Sequence, residues 1–118
     1  MDHKIKILVV DDSAFMRKVI TELLESHEQL NVIDTARNGI DALKKVEKHA
    51  PDVITLDVEM PKMNGLDFLK RLMAKKPIPV VMLSSVTAEG SEETIKALEL
   101  GAFDFITKPS GSISLDID

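Results

Sequence analysis

Cysteine, tryptophan and tyrosine are all absent from this chain, and phenylalanine occurs four times in 118 residues. Without cysteine there are no disulfides, no thiolate metal ligands and no thiol nucleophile. With so few aromatic rings, stacking on nucleobases or on a flavin is poorly provided for. No apolar stretch approaches the roughly 20 residues that a membrane helix needs. Met1-Asp2-His3-Lys4 opens the chain without the hydrophobic region of a signal peptide. Membrane insertion is not expected, and a cytoplasmic location is the plain reading. The net charge of −5 and isoelectric point near 5.2 argue against a nucleic-acid partner.

What is present suits one globular domain: 44% hydrophobic and 30% charged residues in a length that supports a single core. Apolar, β-rich runs alternate with helical periodicity along the chain, the pattern of a parallel α/β sheet. Strands are expected at Ile5–Val10, Asn31–Thr35, Val53–Leu56, Pro79–Leu83 and Asp104–Thr107. The second is the most polar and reads as an edge; the third is nearly all apolar and reads as central. Ser13 is the expected N-cap of a first helix whose buried stripe would be Phe15, Met16, Val19, Ile20, Leu23 and Leu24. A second helix, Gly39 to His49, would bury Ile40, Leu43 and Val46. A third, Leu66 to about Lys75, would bury Leu66, Leu69 and Met73. The fourth, Ser91–Leu100, stops at Gly101. Arg17, Lys18, Lys44 and Lys45 read as solvated helix faces. The domain is thus 1–109, and 110–118, alternating serine with isoleucine, leucine and aspartate, reads as a linker or clipped tail with no room for a fifth helix.

The chemistry lies at the strand ends. Right-handed crossovers leave the C-terminal ends of parallel strands on one edge, where ligands bind. The first strand stops at Asp11-Asp12, the third at Asp57, the fourth at Ser84 and the fifth at Lys108-Pro109. Carboxylates a few ångströms apart repel by about 4 kcal/mol per pair at an effective dielectric near 20. Such a group holds either a proton or a cation. Oxygen-only donors favour Mg²⁺, with the backbone carbonyl of Glu59 available to complete the set. Asp57 could then serve as a nucleophile, Lys108 could neutralise phosphoryl oxygens, and the Ser84 hydroxyl could donate to another. Each motif has an ordinary explanation as a cap, a turn or loop punctuation. Their joint placement at matching strand ends favours a site. Phe105, three residues before Lys108, is either a half-buried packing residue or a movable one. Met60 and Met63 flank Asp57 and could line its rim, and the three histidines form no hydrolytic arrangement.

At these residues the chain resembles the response-regulator receiver domains of two-component signalling. That pattern is an acidic pair, a phosphoacceptor aspartate, a serine or threonine and a Lys-Pro pair, met here by Asp11-Asp12, Asp57, Ser84 and Lys108-Pro109. The resemblance implies a flavodoxin-like, doubly wound parallel five-stranded sheet in the order 2-1-3-4-5. It also implies Mg²⁺ at Asp11, Asp12, Asp57 and the Glu59 carbonyl, and a switch in which Ser84 and Phe105 move. Val9-Val10-Asp11-Asp12-Ser13-Ala14-Phe15-Met16-Arg17, Met82-Leu83-Ser84-Ser85 and Lys108-Pro109-Ser110-Gly111 are similar to the N-terminal part of the chemotaxis protein-glutamate methylesterase family. That similarity implies a chemotaxis histidine kinase as phosphodonor, a C-terminal esterase domain in cis, and chemoreceptors as targets of the longer protein. No esterase nucleophile motif lies in this chain. A stand-alone receiver, a receiver with another output, and a Mg²⁺-dependent phosphatase are the alternatives.

Overall fold

Alternating strands and helices follow one another through the computed structural model, which describes residues 4–58, 65–84 and 92–108. The strands are β1 (Ile5–Val10), β2 (Leu30–Ala36), β3 (Val53–Asp57), β4 (Val80–Ser84) and β5 (Asp104–Thr107). The helices are α1 (Ala14–Glu25), α2 (Gly39–His49), α3 (Gly65–Lys75) and α4 (Glu92–Glu99). All strand pairs are parallel, and the sheet order is β2-β1-β3-β4-β5. Parallel strands need crossovers, and the helices between them supply these. Ser84 is the last residue of β4 rather than the residue after it.

Side chains alternate across the sheet, so each central strand feeds two apolar layers. Leu8, Val10, Ile54, Leu56, Val80 and Met82 pack with Ala42, Val46, Phe68, Leu69, Leu72 and Ala97 from α2, α3 and α4. Ile7, Val9 and Leu83 pack on the opposite face with Ile20 of α1. Three helices cover the first layer among the described residues, which makes it the larger core. On the α1 face Ile106, paired in register with Leu83, stays 51% exposed.

Helix phases differ from the expected stripes. In α1 only Ile20 is buried, while Phe15 is 59% exposed and Met16 and Leu24 are half-buried. In α2, Ala42 and Val46 are buried and Leu43 is half-buried, but Ile40 is 46% exposed. In α3 the buried side chains are Phe68, Leu69 and Leu72, with Leu66 and Met73 at the margin. The stripe narrows because each helix meets a flat sheet along one line, and apolar residues beside that line stay in water at little cost.

The ends of the helices follow local chemistry. Ser13 accepts from the Met16 N–H and Asn38 from the Asp41 N–H, satisfying donors that the first turns leave open. Ala50 at φ 48° and Gly101 at φ 112° carry the reversed backbone that ends α2 and α4. Lys45 is not a solvated residue: its ammonium donates to the Thr35 carbonyl at 2.6 Å and lies 3.3 Å from Asp41 and 3.6 Å from Asp34. His49 adds a 3.0 Å contact to Asp34. Burial pushes the Asp34 carboxyl upward, but the Thr35 N–H, Lys45 and His49 together hold it below its ordinary value. That tie between β2 and α2 is therefore present above the ordinary carboxylate pKa and is lost as pH falls through the lowered one.

Candidate functional site

Register alone brings the chemistry together. Val10 pairs with Leu56, so the next residues along these strands are the neighbours Asp11 and Asp57. Asp57 pairs with Leu83, and Ser84 pairs with Thr107, one residue before Lys108. Backbone bonds carry the alignment past the strand ends: Asp11 N–H to Ala36, Val58 N–H to Leu83, and Lys108 N–H to the Ser84 carbonyl at 2.6 Å. The sequence-expected residues Asp11, Asp12, Asp57, Ser84 and Lys108 thus share one edge.

Asp11 is fully buried and Asp57 is 3% exposed, while Asp12 faces solvent. Oxygens of the three carboxylates lie within 4.8 Å of one another. The Lys108 ammonium sits 3.2 Å from Asp11 Oδ2 and 3.2 Å from Asp57 Oδ1. Burial alone pushes its pKa down, but Asp11 and then Asp57 outweigh burial and hold it above the ordinary value. One lysine therefore balances part of a triple negative charge. The remainder calls for a second cation.

The donor set fits Mg²⁺. Asp11 Oδ2 is buried and accepts no hydrogen bond, and every side-chain ligand offered is a hard carboxylate oxygen. The Lys108 ammonium at 3.2 Å compensates that atom in part, and a second cation would complete the compensation. Exposed Asp12 leaves one side of the cluster open to water and to an incoming group. Glu59, Met60, Met63, Pro61 and Ser85 lie outside the described residues, as does 109–118.

Gly65 opens α3 against the back of this edge. Its N–H donates to the Val58 carbonyl at 3.0 Å. A Cβ there would strike the Asp57 carbonyl and lie 2.9 Å from Val58 Cα. Only glycine lets α3 approach the Asp57 backbone this closely. Phe105 is half-buried against the larger core, whereas Ile106 turns to the other face. Reading the sequence as isolated motifs missed Arg17, whose side chain donates to the Asp11 carbonyl at 2.9 Å. Its position six residues after Asp11, within the first turn and a half of a capped helix, was the available signal.

Comparison with known proteins agrees with this fold. The response regulator receiver domain family matches residues 7–116. A protein-glutamate methylesterase/protein-glutamine glutaminase of Halalkalibacterium halodurans is 64% identical over 118 residues, 100% of this chain and 34% of that protein. The chain therefore spans about a third of the length of the curated relatives it matches. The response regulator domain of Thermotoga maritima CheB superposes with TM-score 0.87 at 51% identity, covering 96% of this chain and 84% of that one. A CheX-CheY-BeF3-Mg complex from Borrelia burgdorferi superposes with TM-score 0.81 at 38% identity, covering 96% of this chain and 84% of the other.

Proposed function

Because the chain belongs to the response regulator receiver family, we propose that it is a Mg²⁺-dependent phosphoacceptor of chemotaxis signalling, with Asp57 as acceptor. The observation that carries this reading is the buried Asp57 carboxylate held 3.2 Å from Lys108 within a cluster of acids. The donor is a phosphohistidine on a histidine kinase. An Asp57 oxygen attacks phosphorus, the new O–P bond forms as the P–N bond breaks, and the leaving imidazole nitrogen keeps the electron pair. Lys108 meets a phosphoryl oxygen, and the Ser84 hydroxyl donates to another. Mg²⁺ held by Asp11, Asp12, Asp57 and the Glu59 carbonyl would neutralise charge on the transferring group. Little else is required, since this chemistry is mostly positioning and electrostatics.

Treating the chain with a small phosphodonor and weighing it intact tests the reading. One phosphoryl group should appear with Mg²⁺ present and should fall to background with a chelator. Labelling indifferent to Mg²⁺ would reject the metal-assisted step.

The output we assign is relief of a C-terminal methylesterase and glutamine deamidase acting on chemoreceptors, in a longer protein. The support is the name and length of the relatives, of which this chain covers 34% in the Halalkalibacterium case. A phosphoryl group adds negative charge where Lys108 now holds two carboxylates, so Lys108 and Ser84 rearrange around it and Phe105 repacks. In the two-domain protein, methyl-ester release should rise with phosphodonor. A constant rate would sink the inhibitory role.

A further inference from the structure

Three of the four polar atoms of Asp11 are hydrogen-bonded, and the fourth pairs with Lys108. Its N–H donates to the Ala36 carbonyl at 3.0 Å, and its Oδ1 accepts from the Ser13 N–H at 2.9 Å. Its carbonyl accepts from Arg17 Nη1, also at 2.9 Å. Only Oδ2 is left without a hydrogen bond, beside Lys108 and the acid cluster.

The Asp11 carbonyl belongs to the peptide plane that joins Asp11 to Asp12. Fixing that oxygen fixes ψ of Asp11 and holds the plane of the peptide that carries the Asp12 N–H, because the peptide is planar. Together with the Ser13 N–H on Asp11 Oδ1, the Arg17 bond restricts how the two acids stand relative to each other. Asp12 is exposed, and besides this bond only the turn closed by the Ser13 N–H on Asp11 Oδ1 holds it among the described residues. Arg17 is half-buried in a recess of about 260 Å³ lined also by Thr35, Arg37, Asp41 and Lys45. Among the described residues it has no ion-pair partner, and this carbonyl is its one side-chain hydrogen bond. A planar, always-charged fork makes a short, directional, charge-assisted bond to a carbonyl.

We infer that Arg17 is a positioning residue for the divalent-cation site, orienting Asp12 relative to Asp11 through the peptide between them. The inference rests on the cation site of the phosphoacceptor reading. Groups that orient metal ligands are worth 10–100-fold in affinity when removed. Here the loss should also depend on the ion. Mg²⁺ demands near-ideal octahedral geometry, whereas Ca²⁺ accepts irregular and variable coordination. A loosened acid pair should lose Mg²⁺ far more than Ca²⁺.

The experiment titrates the 118-residue chain with Mg²⁺ and, separately, Ca²⁺ by calorimetry, since the chain lacks Trp and Tyr to report by fluorescence. Arg17→Ala should bind Mg²⁺ at least about tenfold more weakly, with a smaller loss for Ca²⁺. Arg17→Lys should recover part of the loss, and Lys18→Ala, exposed on the same helix, should match the parent. Equal losses for both ions together with a fall in unfolding temperature would mean a merely structural role and overturn the inference. So would unchanged Mg²⁺ affinity in Arg17→Ala. A parent chain that binds no Mg²⁺ would overturn both this inference and the phosphoacceptor reading, so the two failures are told apart.

Discussion

Asp57→Asn should reduce phosphoryl labelling to background while leaving the fold in place. Asparagine matches aspartate in shape, so the packing of β3 against β1 and β4 is undisturbed. What disappears is the anionic oxygen that attacks phosphorus, and an amide oxygen is no substitute nucleophile. The substitution also removes one of three clustered negative charges, two of them buried. At an effective dielectric near 20, each close pair repels by about 4 kcal/mol. Lys108 keeps Asp11 as a partner at 3.2 Å. In metal-free buffer the variant should therefore unfold at a temperature equal to or above that of the parent. Intact mass after phosphodonor treatment, beside a far-ultraviolet melting curve, checks both halves. Labelling retained at the parental level would remove Asp57 as the acceptor.

Lys108→Ala has the largest expected cost in stability. The ammonium is the counterion to two carboxylates whose side chains are 0% and 4% exposed. Removing one side of a buried ion pair leaves the other uncompensated, a loss on the order of 3 kcal/mol. In a domain of this size that lowers the unfolding midpoint by roughly 10 °C or more. Saturating Mg²⁺ should restore much of it, because a ligand at 100 times its dissociation constant contributes about 2.7 kcal/mol. An unchanged midpoint in metal-free buffer would show that Lys108 does not carry this balance.

The same pair predicts a pH window. Asp11 and Asp57 hold the Lys108 pKa above its ordinary value of 10.5 despite burial, which alone would lower it. A raised pKa in a basic group contributes stability that is complete below the unfolded value and is lost as pH climbs through the folded one. The difference in midpoint between parent and Lys108→Ala should thus be flat through neutral pH and shrink in strong alkali.

Much of this site was legible before any coordinates. Acids that end apolar runs are costly inside a sheet, so their presence at the ends of β1 and β3 announced a compensating partner. Ser13 as a cap, β2 as an edge and the positions of Ser84 and Lys108 followed from local chemistry and period. The helix phases were less legible. Phe15 and Ile40 satisfy a helical stripe as well as Ile20 and Val46 do, yet they remain in water. Hydrophobic spacing selects a face of a helix, and contact with the sheet selects the line within that face. Arg17 and Lys45 were read as solvated because a basic residue on a helix surface usually is. Their partners, the carbonyls of Asp11 and Thr35, are backbone atoms that every residue carries, so no side-chain pattern marks them.

The order of residues determined which groups stand at strand ends, because strand length and turn position are local properties of the chain. It also determined the supply of charge: acids after β1 and β3, a lysine after β5. Only the tertiary structure decided that β1 lies between β2 and β3, and that Asp11 and Asp57 share Lys108. Strand order depends on which faces bury best against which helices, a sum over contacts distant in sequence. No window of neighbouring residues contains that sum.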